Sequence, residues 1–171
     1  MIIGMSVETF TLLHVFISLP GIVAGAAALG EMNAGRRLGL WNTVFLVATA
    51  ATSITGFFSH SAGFGPPHVI GVISIVVLSI ALFAFNVRRL AGIWRPIYAV
   101  AATVALYLNA FVGVVQAFQK LSPLKELTPT QTELPFLVAQ SLLLIVFAII
   151  GFLAVKRRPR TESGVSHLFA S

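Results

Sequence analysis

Basic residues in this 171-residue chain alternate between the two sides of five long apolar runs. Six stretches flank these runs, and every second stretch is basic, with Arg36, Arg37, Arg88, Arg89, Arg95, Lys156, Arg157, Arg158 and Arg160. The intervening stretches hold only Lys120 and Lys125. Because Lys and Arg concentrate in the short cytoplasmic loops of membrane proteins, the alternation predicts a chain that crosses a bilayer five times.

The composition agrees with a membrane protein, since 57% of the residues are apolar and only 9% are charged. A water-soluble fold of this length could not bury so much apolar surface. The net charge is +6, and the basic residues that produce it border the apolar runs and do not form a patch interleaved with aromatic residues. We therefore expect the bilayer, with anionic lipid headgroups at the cytoplasmic face, as the partner, and no nucleic acid.

We predict an all-α integral membrane bundle, one domain over residues 1–171, with five transmembrane helices. The expected spans are about 9–30, 40–60, 67–87, 96–118 and 135–155. They must be helical because lipid offers no partner for free backbone groups. The preference of Lys and Arg for cytoplasmic loops places the N-terminus outside and the C-terminus in the cytoplasm. Residues 156–171 form a basic, mobile cytoplasmic tail in this prediction. We expect Thr132 to cap the last span.

Strongly polar side chains within the predicted spans concentrate in the outer half of the bundle. The cytoplasmic half offers mainly Asn42, Thr43 and Asn86. Because an unpaired polar group is costly in hydrocarbon, each must have a partner or a function. We predict a small polar pocket that opens outward and binds a ligand such as a quinone-like or lipid molecule, formed by His14, Asn109, Gln116 and Gln140.

Histidine suggests a second chemistry, because imidazole binds haem, zinc and copper. His14 with His60 or His68 defines a candidate haem or metal site of a redox protein. The three histidines differ in expected depth, however, and the spans carry no carboxylate or cysteine to support a metal. No bound cofactor is therefore the favoured expectation, with haem or a metal left open.

Catalytic motifs are not found: the chain has no HExxH, GxSxG or P-loop, and no paired carboxylates lie within a span. An enzyme is therefore less favoured than a ligand-binding membrane protein. The remaining alternative is a structural or accessory subunit, whose polar groups hold the bundle together or dock a membrane-protein partner or a second copy.

Several short strings give the chain a family resemblance. They are Leu13-His14, Pro20 to Gly25, Arg36 to Gly39, Thr52 to Phe57, Pro67 to Gly71, Trp94 to Tyr98, Asn109 to Val112, Thr128 to Gln131, and Glu133 with Pro135 and Phe136. Together they resemble small multi-pass bacterial inner-membrane proteins with no assigned reaction. The resemblance covers nearly the whole chain and implies a bacterial plasma membrane.

Overall fold

The computed structural model describes residues 6–58 and 66–157, and within these ranges it contains helices and no strand. The helices are α1 (Val7–Asn33), α2 (Leu40–Phe58), α3 (Pro66–Leu82), α4 (Trp94–Lys120), α5 (Ser122–Leu127) and α6 (Leu134–Lys156). A π-helical segment, Phe83–Val87, continues α3. The predicted all-helical fold is confirmed, whereas the short α5 lies in a connection that the sequence analysis had treated as a loop.

Four of the described helices are long and apolar enough to cross a membrane. They are Leu12–Asn33, His68–Val87, Trp94–Lys120 and Leu134–Lys156, and they match the first, third, fourth and fifth predicted spans. The helix α2, which matches the second predicted span, is not among these four.

The bundle has two chemically different ends. The end that we call the basic end carries the connections between α1 and α2 and between α3 and α4, together with the C-terminus of α6. Its basic side chains in the described ranges are Arg36, Arg37, Arg88, Arg89, Arg95, Lys156 and Arg157. The opposite end, which we call the α5 end, carries α5 and the N-terminus of α6.

The central helix is α4, which packs against every other α-helix. Its alanine-rich face allows close approach, since Ala99, Ala102 and Ala105 are fully buried. The helices α1, α2 and α4 meet most tightly at Gly25. A Cβ atom at Gly25 would lie 2.6 Å from Leu106 Cδ1 and 2.7 Å from Phe45 Cδ2. Small residues at such contacts are typical of helix packing in lipid.

The last long helix, α6, packs on one side of the bundle, mainly against α4. Gly151 makes this contact close, because a Cβ atom there would lie 3.0 Å from Thr103 Cγ2. Ala154 is the one buried side chain among the residues of α6. Most of the surface of α6 is therefore left open to lipid or to another protein.

The start of α6 differs from the predicted cap, because Thr132 lies outside the cap position, which Glu133 occupies. The Glu133 carboxylate accepts hydrogen bonds at 3.0 Å from the backbone amides of Thr130 and Thr132. Desolvation opposes ionisation of this carboxyl, but the hydrogen bonds from Thr130 and Thr132 outweigh it and hold the pKa of Glu133 below its ordinary value. Glu133 thus occupies the cap position without a side-chain capping bond to α6, and its carboxylate binds the segment before the helix.

Candidate functional site

His14 lies on α1 and contacts α2 at the α5 end. Its Nδ1 atom lies 2.9 Å from Thr55 Oγ1, and the Thr55 hydroxyl lies 2.7 Å from the carbonyl oxygen of Ala51, to which it donates. In the tautomer that is protonated at Nδ1, the His14 ring donates to the Thr55 hydroxyl, which itself donates to Ala51. In the neutral imidazole, Nε2 is then left as an acceptor. Gly56 leaves room for the ring, since a Cβ there would lie 3.3 Å from His14 Cε1.

Asn109 lies deeper in the bundle, where α1, α2 and α4 converge. Its Nδ2 atom donates to Thr49 Oγ1 at 3.4 Å, which links α4 to α2. A Cβ atom at Gly21 would lie 3.6 Å from the same Nδ2 atom, so α1 closes the third side. Asn109 therefore stabilises the packing of three helices.

The two glutamines keep buried acceptor atoms that have no hydrogen-bond partner in the described part of the chain. Gln140 Nε2 donates to the carbonyl oxygen of Phe111 at 3.4 Å and joins α6 to α4. Its Oε1 atom is buried and unpartnered, and so is Oε1 of Gln116. Because a buried acceptor without a donor costs free energy, these two oxygens are the strongest local signs of a ligand.

The four predicted site residues are distributed along the bundle. His14 bonds to α2, Asn109 also bonds to α2, and Gln140 bonds to α4. Within the described ranges, no hydrogen bond joins two members of the set directly. Their shared role in ligand binding stays a prediction.

The candidate haem or metal site also stays a prediction. His60 lies outside the described residues, while His68 lies in the first turn of α3 and is half-buried. Among the residues from 6 to 58 and from 66 to 157, no group of three His, Cys, Asp or Glu side chains is placed to hold a metal ion.

An apolar groove of about 310 Å³ runs between α4 and α6. Its lining includes Tyr107 from α4 and Leu144, Phe147, Gly151 and Phe152 from α6. The rings of Tyr107 and Phe147 meet edge to face, with centroids 5.9 Å apart. Gln140 precedes Leu144 by four residues and therefore shares its face of α6, one turn closer to the α5 end. The bond from Gln140 to Phe111 therefore lies about one helical turn beyond the lining of this groove.

The basic end holds a polar cluster that the sequence analysis missed. Asn42 and Tyr98 are buried, 0% and 1% exposed, and the Tyr98 hydroxyl donates to Asn42 Oδ1. Further buried atoms without a hydrogen-bond partner in the described structure belong to residues near the helix ends on this side of the bundle: Asn42 Nδ2, Arg95 Nε and Nη2, Glu31 Oε2 and Asn33 Oδ1. We call these five residues the basic-end cluster.

A sequence signal for the cluster existed but was interpreted as topology. Arg95 and Tyr98 are three residues apart at the start of α4 and so share a helix face. The sequence analysis used Arg95 only to orient the chain. It assigned Asn42 to a half of the bundle with few polar groups.

Comparison with protein-family models, with curated proteins and with solved structures finds no match to this chain. The functional argument therefore rests on the geometry of the helices and on the chemistry of the buried polar groups. The family resemblance of the short sequence strings stays a prediction.

Proposed function

We propose a five-span topology in which α2 crosses the membrane along with the four candidate helices. Its 19 residues extend about 28 Å at 1.5 Å per residue, close to the thickness of a hydrocarbon core. It also packs along α1 and against α3, both of which are candidate spans. The clustering of Arg and Lys at one end supports a cytoplasmic basic end and an external N-terminus. The bacterial plasma membrane rests on the resemblance of the short sequence strings alone.

We propose that the protein is a non-enzymatic membrane protein that binds an amphipathic, lipid-like molecule between α4 and α6. One observation carries this proposal: Gln140 Oε1 is a buried acceptor without a partner, one turn from the end of an apolar groove. A polar group at the end of a mostly apolar cavity is the usual arrangement of a small-molecule site.

The hydrogen bonds of Gln140 indicate which polar group the ligand carries. Its amide nitrogen donates one of its two N–H groups to Phe111, whereas its Oε1 atom has no partner in the described structure. A ligand that donates a hydrogen bond satisfies this oxygen, as a quinol or a lipid alcohol does through its hydroxyl group. The apolar part of such a molecule would lie along Leu144, Phe147 and Phe152.

The other predicted residues have supporting roles in this proposal. Gln116 offers a second buried acceptor at the α5 end. His14 and Asn109 hold α1, α2 and α4 together, and so they act as positioning residues. The site is thus formed by Gln140, with Gln116 as a second candidate contact.

A matched pair of ligands tests the proposal with the purified protein in detergent. We expect a quinol with a short alkyl tail to bind about tenfold more tightly than its dimethyl ether, because methylation removes the hydroxyl donors. Native mass spectrometry measures the bound fraction. Gln140→Leu should reduce the preference for the free quinol.

Two further variants distinguish the groove from nonspecific partitioning. Ala148→Phe places a ring in the groove, whereas Val146→Phe adds the same ring on an exposed face of α6 that does not line it. We expect Ala148→Phe to abolish binding and Val146→Phe to leave it unchanged. Equal binding of the two ligands, or an equal loss in both variants, would contradict the proposal.

A second candidate function is that of an accessory subunit, favoured by the exposed surface of α6. Large apolar side chains along it, such as Leu142, Ile145 and Ile149, are more than half exposed. A membrane-protein partner or a second copy would cover this surface. His14→Ala tests the role of His14: if the fold and assembly fail without a change in quinol binding, His14 is structural.

A further inference from the structure

Buried donors without partners collect at the basic end. Asn42 is 0% exposed, and its Oδ1 atom is occupied by the Tyr98 hydroxyl. Its Nδ2 atom is buried and has no hydrogen-bond partner in the described part of the chain. Because Nδ2 carries two N–H groups, the site requires an acceptor from outside this pair.

Arg95 adds a pair of donors at the same end of the bundle. It precedes Tyr98 by three residues, so it lies on the same face of α4, about 4.5 Å closer to the basic end. Its Nε and Nη2 atoms are both buried and unpartnered within the described residues. These two atoms form one edge of the guanidinium, whose parallel N–H groups match two oxygens of one phosphate.

Two acceptors at the same end place a further condition on the ligand. Glu31 Oε2 and Asn33 Oδ1, near the end of α1, are also buried and unpartnered in the described ranges. A plain phosphate ion would satisfy the donors but would be repelled by the Glu31 carboxylate. A ligand that joins a phosphate to a hydroxyl or ammonium group meets both conditions.

We propose that the basic-end cluster is a binding site for a phosphodiester headgroup that carries hydroxyl or ammonium donors. The phosphate oxygens bind Arg95 and Asn42, and the terminal donors bind Glu31 and Asn33. This site is separate from the groove between α4 and α6 and does not depend on the function proposed there. The same chemistry occurs in phospholipids and in water-soluble glycerophosphodiesters.

The surroundings of the cluster favour a phospholipid. Exposed Arg36 and Arg37 attract an anionic membrane surface. An apolar groove of about 420 Å³ between α1 and α2 is lined by Trp41, next to Asn42 in the sequence, and by Phe16, Leu19 and Val23 farther along α1. This groove offers an acyl chain a path away from the basic end.

Intrinsic fluorescence provides a direct test, because the two tryptophans of the chain are next in sequence to residues of the basic-end cluster. Trp41 precedes Asn42, and Trp94 precedes Arg95. The full chain in detergent is titrated with short-chain phosphatidylglycerol, with diacylglycerol of the same chain length, and with glycerophosphoglycerol. We expect a saturable emission change with phosphatidylglycerol and none with diacylglycerol.

Variants assign the response to Arg95. We expect Arg95→Gln to weaken phosphatidylglycerol binding about tenfold and Arg95→Lys to weaken it less, since lysine keeps the charge but loses the paired N–H groups. Arg157→Gln removes the same charge from an exposed position of the basic end and should change the affinity by less than about twofold.

The outcomes separate the possible sources of the headgroup. Saturable binding of glycerophosphoglycerol with the same sensitivity to Arg95 would support the site and assign it to a soluble ligand as well. An equal response to diacylglycerol would overturn the proposal in the wild-type protein, even if Arg95→Gln does not fold. An equal loss in Arg95→Gln and Arg157→Gln would also overturn it.

Discussion

Polar groups at the two ends of the bundle are satisfied in different ways. At the α5 end, His14, Asn109 and Gln140 each form a hydrogen bond to a neighbouring helix. At the basic end, one complete bond between Tyr98 and Asn42 lies among several buried atoms that have no partner in the described structure. The α5 end therefore combines links between helices with two unpartnered glutamine oxygens, on Gln116 and Gln140, whereas unpartnered atoms predominate at the basic end.

This difference shows that the depth of a polar residue does not by itself indicate function. The sequence analysis located polar residues by depth and favoured the outer half of the bundle. Whether a polar group has a hydrogen-bond partner is more informative than its depth. A polar group with a partner contributes to packing in lipid, whereas one without a partner indicates a candidate ligand site. By this criterion the Gln140 oxygen and the basic-end cluster are the two candidate sites.

Among variants that test this difference between the two ends, we expect the largest loss of stability at Tyr98. Tyr98→Ala removes a ring that is 1% exposed and leaves the Asn42 amide without its donor, so we expect a loss of about 3 kcal/mol or more. His14→Ala, at the other end, should cost about 1 kcal/mol. Reversible unfolding by sodium dodecyl sulfate measures both free energies. An equal or larger loss for His14→Ala would reverse the ranking of the two ends.

A second prediction concerns the apolar layer between the two polar regions. Gly25→Ala should destabilise the bundle by about 1–3 kcal/mol, because the new methyl group meets Phe45 and Leu106. Gly30→Ala is a matched control on the same helix, since a Cβ there has no neighbour within 4 Å. It should instead be neutral or stabilise the helix by up to about 1 kcal/mol. Similar effects in the two variants would contradict the packing at Gly25.

Much of the fold was predictable because the membrane restricts what the chain can form. Apolar runs such as 135–155 have to be helical in lipid, and the structure places α6 over the same region. The helix α5 was not predictable in this way. It has six residues, and its stability depends on contacts with α4 that local sequence does not reveal.

The candidate sites were less predictable than the fold, because hydrogen bonding depends on which helix faces which. The sequence identified Gln140 as polar and buried, but not that its nitrogen bonds to Phe111 and its oxygen has no partner. The bond between Asn42 and Tyr98 joins residues 56 positions apart. Their pairing requires α2 and α4 to meet, and no periodicity in either helix specifies that contact.

A smaller effect is expected for the hydrogen bond between His14 and Thr55. A double-mutant cycle with His14→Ala and Thr55→Val should give a coupling energy of about 0.6 kcal/mol, the average for interhelical hydrogen bonds in membranes. The same cycle with His14→Ala and Thr52→Val is a control, because the Thr52 hydroxyl donates to Ala48. A coupling near zero for the first pair would show that the α5 end gains little from this bond.

The smallest predicted effect is local to the α5 end and depends on pH. Hydrogen bonds from Thr130 and Thr132 hold the pKa of Glu133 below its ordinary value. The stabilisation is therefore complete above the ordinary glutamate pKa and is lost as the pH falls through the lower value of the folded state. The basic-end cluster should not respond to this step, because it lies at the opposite end of the bundle.

Amide proton shifts of Thr130 and Thr132, followed from about pH 7 to pH 3, report this titration directly. We expect both amides to move together, with a midpoint below the ordinary glutamate pKa. Glu133→Gln should remove the transition, whereas Glu126→Gln, which removes a carboxylate from the neighbouring α5, should preserve it. A midpoint at or above the ordinary value would mean that these hydrogen bonds do not stabilise the carboxylate. The start of α6 would then depend on packing, as between Phe118 and Phe136, whose ring centroids lie 5.5 Å apart.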